Sequence, residues 1–166
     1  MNDAYYEHFV AQKPKFQNTL KRALLIIAVL LISYIGAAFL GSLALMLGFV
    51  ALILIVQFVF PYFKVEYEYA LLNHYLEISA IFNKEKRKKK AEIDIQKAEI
   101  IAPTGSHRLD SYRPAKVLDF SSGDKNAKTY SILTSSQDKL FSIIVEPDER
   151  MLNQMRSWTG SKMFLD

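Results

Sequence analysis

Apolar and polar positions divide the chain into one uninterrupted apolar run and a longer region of short alternating patterns. Residues 23–63 contain no Asp, Glu, Lys, Arg or His, and they are bracketed by Lys21 and Arg22 on one side and Lys64 on the other. A helix that crosses a hydrocarbon core needs about 20 residues, so a run of 41 residues is too long for one span and fits two. The pattern therefore predicts a transmembrane helical hairpin over residues 21–63.

The turn of this hairpin is predicted near residues 40–42, where Gly41 and Ser42 interrupt the large apolar side chains. Basic residues flank both ends of the run, and cytoplasmic flanks carry the excess of Lys and Arg in membrane proteins. They are Lys13, Lys15, Lys21 and Arg22 before the run, and Lys64 with a basic cluster after it. We therefore expect a multi-pass protein of the cell membrane with both termini in the cytoplasm.

Small residues recur at four-residue spacing within the predicted spans. They are Ser33, Ala37 and Gly41 in the first span and Ala44 and Gly48 in the second. Such rows allow helices to approach closely, either in a dimer or, as we favour, within the hairpin itself. Because neither span contains an ionisable residue, a proton relay or ion pathway has no groups to use, which argues against a transporter or channel.

Residues 1–20 are predicted to form a cytoplasmic leader. Tyr5, Tyr6, Phe9 and Val10 stand at roughly helical spacing, which is typical of a short amphipathic helix on a membrane surface. Pro14 interrupts that pattern, so a loosely ordered leader is an equal alternative.

Residues 64–166 change to a period of two, which indicates β-strands. Seven candidates follow one another with turn residues between them: 65–69, 75–82, 91–95, 98–102, 116–121, 128–134 and 140–145. A helix is predicted near residues 147–158, since Pro147 and Asp148 are typical of a helix start and Gly160 of a helix end. The predicted fold class is thus an α+β membrane protein: a helical hairpin, then a bent β-sheet or barrel covered by a C-terminal helix.

This order of strands and helix resembles the pleckstrin-homology (PH) fold, and in particular the bacterial PH-like domains attached to membrane helices. The local resemblance lies in residues 75–101, where a strand, a basic turn and a second strand, 91–95, precede an Ile-containing turn. Asn83 stands where a turn glycine is expected. The layout also resembles a family of small clostridial membrane proteins with two spans. The resemblance implies a fold and a location, but no activity.

The strongest local feature is a basic cluster in residues 84–90, with six cations and one anion in seven positions. Its cations are Lys84, Lys86, Arg87, Lys88, Lys89 and Lys90. The rest of residues 64–166 has 11 basic and 14 acidic side chains, so the positive charge of this part is concentrated here. Clusters of four to eight cations beside a membrane are typical of anionic-lipid recognition. A solvated hairpin tip that only sets topology explains the same cluster and is favoured over lipid contact; nucleic acid and an acidic protein surface are less favoured than either.

No pattern predicts an enzyme, a cofactor or a metal site. The chain has no cysteine, and His8, His74 and His107 are too dispersed for metal-ligand spacing. Ser106, His107 and Asp110 lie in one short segment, but such neighbours do not adopt nucleophile–base geometry, so we interpret the segment as a loop.

The sequence therefore predicts a binding or scaffolding module held at the inner face of the membrane by its hairpin. The basic cluster either contacts anionic phospholipid or serves only as a topology signal, and the sequence leaves both interpretations open. The alternative is an accessory subunit of a larger membrane complex, whose soluble domain docks a protein partner. A homo-oligomer is compatible with both predictions.

Overall fold

The protein combines a helical hairpin with two β-sheets and one covering helix. A computed structural model describes residues 5–13, 16–136 and 139–165. The helices are α1 (Phe16–Leu40), α2 (Ser42–Leu54) and α3 (Glu149–Thr159). The strands are β1 (Tyr5–Ala11), β2 (Val65–Leu72), β3 (Tyr75–Phe82), β4 (Lys86–Asp94), β5 (Ile100–Pro103), β6 (Lys116–Asp119), β7 (Tyr130–Ser136) and β8 (Lys139–Val145).

Helices α1 and α2 form the predicted hairpin, and the chain reverses at Gly41, inside the predicted turn. The φ of 60° and ψ of −140° at Gly41 belong to a region that side chains with a Cβ avoid. A π-helical segment, Ile55–Val59, and a 3₁₀ turn, Phe60–Phe63, carry the chain from α2 to the start of β2. Residues Gln17–Leu40 and Ser42–Val59 are each long and apolar enough to cross a membrane.

The row of small residues packs the two helices of the hairpin against each other. A Cβ on Gly48 would lie 1.9 Å from Oγ of Ser33, so only glycine fits where the helices meet. One turn away, a Cβ on Gly36 would lie 3.3 Å from the Cβ of Ala44. The close approach therefore occurs within one hairpin, as the favoured interpretation predicted.

The strands form two four-stranded sheets, with orders β1-β2-β3-β4 and β5-β7-β8-β6. The first sheet is antiparallel throughout, whereas β6 pairs with β8 in parallel. After β4 the carboxylate of Asp94 accepts a hydrogen bond from the backbone N–H of Gln96 at 3.1 Å and caps a 3₁₀ turn. The chain then joins the second sheet. The barrel prediction is thus wrong, because the sheets are separate rather than closed on each other.

The leader contains a β-strand, so both the helical and the loosely ordered interpretations are wrong for Tyr5–Ala11. This strand, β1, pairs along its length with β2, from Tyr5 opposite Leu72 to Ala11 opposite Glu66. Its residue Val10 is 5% exposed and joins the core. Apolar residues at positions 5, 6, 9 and 10 suit a helix in isolation, but the partner strand more than 50 residues away decides the conformation.

The main hydrophobic core lies between the first sheet, the second sheet and α3. Its fully buried side chains include Tyr69, Leu71, Leu76, Ile78, Ile95, Ile101, Ile132, Val145, Met151 and Met155. On α3, Met151 and Met155 face this core, while Trp158 is 36% exposed. Asp148 caps α3 by accepting a hydrogen bond from the Met151 N–H at 2.8 Å.

Candidate functional site

The helical hairpin is inserted between two neighbouring strands of the first sheet. Strand β1 ends at Ala11 and α1 begins at Phe16, while only Lys64 separates the Phe60–Phe63 turn from β2. Because β1 and β2 are antiparallel, the end of β1 and the start of β2 lie side by side. Both connections to the hairpin therefore leave the same end of the β-sheet region.

A series of backbone hydrogen bonds runs along this end and defines a surface that we call the rim. The N–H of Asn83 donates to the carbonyl of Lys64 at 3.3 Å, the N–H of Gln12 to Val65 at 2.9 Å, and the N–H of Lys13 to Ser122 at 2.8 Å. The rim thus consists of Gln12, Lys13, Lys64, Val65, Asn83 and Ser122. It joins the turn between β3 and β4, the two hairpin connections and the segment after β6.

The basic cluster begins at the rim, but it is not the loop that the sequence predicted. Only residues 83–85 form the turn, and β4 starts at Lys86, opposite Phe82 of β3. Asn83 and Lys84 both have positive φ, of 53° and 59°. Asn tolerates this conformation better than most residues, which accounts for its place where a glycine was expected. Five of the six cations therefore lie in a strand and follow its alternation.

The side chains of Arg87 and Lys89 project to the outer face of the first sheet and bind carboxylates there. Nη2 of Arg87 lies 2.7 Å from Oε2 of Glu68, a residue that is only 4% exposed. Nζ of Lys89 lies 3.0 Å from Glu77 and 2.7 Å from Glu92. These two cations thus neutralise acidic groups of their own sheet.

The pKa values of the two glutamates move in opposite directions. Burial raises the pKa of Glu68, and the nearby charge of Arg87 opposes that rise without cancelling it. The hydrogen bond from Lys89 lowers the pKa of Glu77, which is more exposed. Arg87 therefore offsets part of the cost of burying a carboxylate, whereas Lys89 stabilises a carboxylate that is already solvated.

The other lysines of the cluster are exposed and have different surroundings. Lys86 and Lys88 pair with Phe82 and Ala80, so they project to the opposite face from Arg87 and Lys89. Lys90 is the extra residue of a β-bulge, with Nζ 5.6 Å from the ring centroid of Phe82. Within residues 5–13, 16–136 and 139–165, no carboxylate forms an ion pair with Lys84, Lys86, Lys88 or Lys90. These four carry the uncompensated charge of the cluster.

Arg22 fixes the first helix of the hairpin to the turn that precedes β2. Its guanidinium carbon lies 5.4 Å from the ring centroid of Phe60 and 5.2 Å from that of Phe63. Cation–π contacts of this kind are stabilising, and more so where water is scarce. The sequence analysis used Arg22 only as one of the basic residues that set the membrane topology. The two phenylalanines at positions 60 and 63 could have indicated its cation–π contacts.

Strand β1 is also held to α3 on the core side of the first sheet. The hydroxyl of Tyr6 donates a hydrogen bond to Oδ2 of Asp148, and Nδ1 of His8 lies 3.8 Å from the same atom. Burial alone would raise the pKa of Asp148, but the hydrogen bonds from Tyr6 and the Met151 N–H bring it below its usual value. The leader is therefore tied to the helix that closes the core.

The segment with Ser106, His107 and Asp110 is a surface turn. Ser106 accepts a hydrogen bond from the Arg108 N–H at 3.4 Å and caps the turn. Nδ1 of His107 lies 3.1 Å from Oδ2 of Asp110, and both side chains are exposed to solvent. The serine and the histidine thus serve different contacts, and the geometry is that of a loop.

Comparison with known proteins agrees with this architecture. The family model described as Bacterial PH-like domain (DUF6106) matches residues 2–165, which includes β1, the hairpin and α3. Neither a curated protein nor a solved structure matches the chain. Since the family model covers nearly the whole sequence, the chain belongs to this family of bacterial PH-like domains.

Proposed function

We propose that the protein is a membrane-anchored binding or scaffolding module whose basic rim contacts anionic phospholipids at the inner face of the cell membrane. The main support for this proposal is the position of the lysines that have no carboxylate partner. The first of them lie at the same end of the first sheet from which both hairpin connections leave. If the hairpin lies in the bilayer, that end faces the head groups.

The exposure of the hairpin supports its place in the bilayer. Only 6% of the most apolar window of α1 and 11% of that of the second helix are buried within the protein. So large an apolar surface is unfavourable in water and suited to acyl chains. Lysines and Arg22 flank the apolar run on the side of the rim, and by the positive-inside rule this supports a cytoplasmic location of the rim and of both termini.

The two short connections support a fixed orientation of the β-sheet region. A module on one flexible linker can turn its basic surface away from the membrane, whereas this one is attached through neighbouring strands of a single sheet. Lys84, Lys86 and Lys88 are then held near the head groups without a separate binding step, and each contributes about 1 kcal/mol beside an anionic leaflet. Arg87 and Lys89 contribute less, because carboxylates already bind them.

A fluorescence experiment on the full chain tests this proposal. Because the chain has no cysteine, a Glu85→Cys variant carries a single thiol for a dye in the turn at the rim. The labelled protein is reconstituted in nanodiscs of phosphatidylcholine, with or without phosphatidylglycerol, and a quencher is attached to a few head groups. We expect stronger quenching in the anionic discs and a decline with added salt, since exposed charges are screened beyond about 10 Å at 0.1 M salt.

Two sets of substitutions in the Glu85→Cys variant distinguish the effect of lysines at the rim from the effect of net charge. Changing Lys84, Lys86 and Lys88 to Ser should strongly reduce the effect of phosphatidylglycerol at this label. Changing Lys116, Lys139 and Lys162 to Ser removes the same charge. Lys116 and Lys139 begin strands that run toward the rim, and Lys162 donates a hydrogen bond to the carbonyl of Gln96, just beyond the end of β4, so all three lie at the far end. This second set should leave the effect intact. Equal quenching in neutral and anionic discs would overturn the lipid proposal.

The alternative function, an accessory subunit that docks a protein through its soluble part, predicts a different result. The full chain would then co-purify in mild detergent with a stoichiometric partner, and the rim substitutions would leave lipid-dependent quenching unchanged. A lipid-contacting module should purify without such a partner.

A further inference from the structure

We propose that residues 121–129 form a second lipid-binding segment at the rim, in which Lys125 and Lys128 contact anionic head groups. This inference rests on the proposed function, because it needs the rim to face the membrane. Sequence reasoning treated residues 122–126 only as a loop and assigned Ser121 and Lys128 to the flanking strands, whereas β6 ends at Asp119 and β7 begins at Tyr130. Their place in the fold gives them a more specific role.

The base of this segment is fixed beside the connection between β1 and α1. The carbonyl of Ser122 accepts the hydrogen bond from the Lys13 N–H, and the Ser122 N–H donates to Oε2 of Glu146 at 2.9 Å. Ser121 and Ser122 are 6% and 7% exposed. The hydroxyl of Tyr69 donates to the carbonyl of Phe120 at 2.6 Å, which ties the segment to the first sheet.

The rest of the segment is ordered by short internal hydrogen bonds. The Asp124 N–H donates to Oγ of Ser122 at 3.1 Å, and the Asn126 N–H donates to Oδ1 of Asp124 at 3.1 Å. The Ala127 N–H donates to the carbonyl of Asp124 at 3.2 Å. Lys125 therefore projects from a defined turn.

An ion pair with the leader removes the one negative charge of the segment. Nζ of Lys13 lies 2.7 Å from Oδ2 of Asp124, and this hydrogen bond lowers the pKa of Asp124 below its usual value. Lys125 and Lys128 are exposed, and no carboxylate in the described part of the chain pairs with either. With Asp124 neutralised, the segment presents two uncompensated cations.

The two basic segments lie on opposite sides of the hairpin connections. Along the rim, Asn83 bonds to Lys64, Gln12 bonds to Val65, and Lys13 bonds to Ser122, so Lys64 and Lys13 separate the turn at residues 83–85 from residues 121–129. Contacts on both sides would oppose tilting of the β-sheet region about the hairpin in either direction, whereas contacts on one side oppose it in one direction only. The second segment thereby makes the rim a two-sided anionic-lipid surface.

The test uses the full chain in the same nanodiscs, with a dye on the single thiol of an Asn126→Cys variant. We expect phosphatidylglycerol to increase quenching of this dye, and Lys125→Ser with Lys128→Ser to remove the increase. Each of these lysines is expected to change the equilibrium constant between the lipid-bound and the unbound segment by about fivefold. A matched pair, Lys116→Ser with Lys139→Ser, should have no effect.

The two label positions distinguish failure of this inference from failure of the proposed function. If phosphatidylglycerol increases quenching at position 85 but not at position 126, the second segment is refuted and the proposed function stands. If it does so at neither position, both fail. If quenching at position 126 persists after Lys125 and Lys128 are replaced, the segment lies near lipid without binding it, which also refutes the inference.

Discussion

The two faces of strand β4 carry the same type of side chain in different roles. On the outer face, Arg87 and Lys89 bind Glu68, Glu77 and Glu92 of their own sheet. On the opposite face, Lys86 and Lys88 are exposed and have no carboxylate within ion-pair distance in the described part of the chain. A basic cluster is thus not one functional unit: strand alternation assigns some cations to the fold and leaves the others available to a ligand.

The largest loss of stability is expected in β1, the strand of the first sheet that pairs with β2. Val10→Gln places an amide at a position that is 5% exposed, in the core. Burying a polar group without a partner should lower the free energy of unfolding by about 2–4 kcal/mol. Denaturant titration of the full chain in detergent measures it, with Trp158 as the single tryptophan reporter.

Phe9→Gln is the matched control, because Phe9 lies next to Val10 but is 53% exposed. Its effect should stay within about 0.5 kcal/mol. Equal losses for the two variants would contradict the placement of β1 in the sheet.

The next largest effect is expected on the outer face of β4. Arg87→Ser leaves the buried carboxylate of Glu68 without its cation, and we expect the free energy of unfolding to fall by about 1–2 kcal/mol, less than for a fully buried pair because Arg87 is half-exposed. Adding Glu68→Gln should restore most of the loss, since the pKa of Glu68 is already raised by burial. A double variant less stable than Arg87→Ser alone would refute this account.

The two glutamates should also give opposite pH dependences of stability. The pKa of Glu77 is lower in the folded state, so its contribution is present above its unfolded value of 4.5 and is lost as pH falls through the folded pKa. The pKa of Glu68 is raised, so protonation of Glu68 stabilises the fold as pH falls through that raised value toward 4.5.

Denaturant titrations at neutral and acidic pH check these signs. Glu77→Gln should reduce the stability lost on acidification relative to the wild type, and Glu68→Gln should increase it. The same change in both variants would show that the two sites do not differ as described.

The smallest effect on stability is expected for the lysines that bind no carboxylate. Replacing Lys84, Lys86 and Lys88 with Ser should change the free energy of unfolding by no more than about 0.5 kcal/mol in detergent, because exposed side chains without partners contribute little. The measurement is the same denaturant titration. A loss as large as that of Arg87→Ser would mean that these lysines also serve the fold.

Much of the architecture follows from local pattern. The uncharged run, the turn at Gly41, the alternating strands and the capped α3 all depend on neighbouring residues, and the structure has them close to their predicted places. The strand β1 could not be predicted, because its apolar spacing suits a helix as well and its partner is distant in sequence. Residues 86–90 escaped detection for another reason: a run of cations has no apolar alternation, and pairing with β3 makes it a strand.

The sequence singled out the basic cluster as the candidate site, but it did not show which of its cations bind carboxylates of the sheet. The cluster stood out through charge density, yet its division between two faces depends on the bulge at Lys90 and on the positions of Glu68 and Glu77. Lys125 and Lys128 did not stand out, because the ion pair of Lys13 with Asp124 joins residues more than 100 positions apart.

The most direct test of the central claim is photocrosslinking of the wild-type chain to lipid. The protein is reconstituted with phosphatidylglycerol or phosphatidylcholine that carries a photoreactive head group, irradiated, digested and mapped by mass spectrometry. We expect adducts on residues 83–88 with the anionic lipid, and few with the neutral one. Equal labelling by both lipids, or labelling confined to the hairpin, would contradict it.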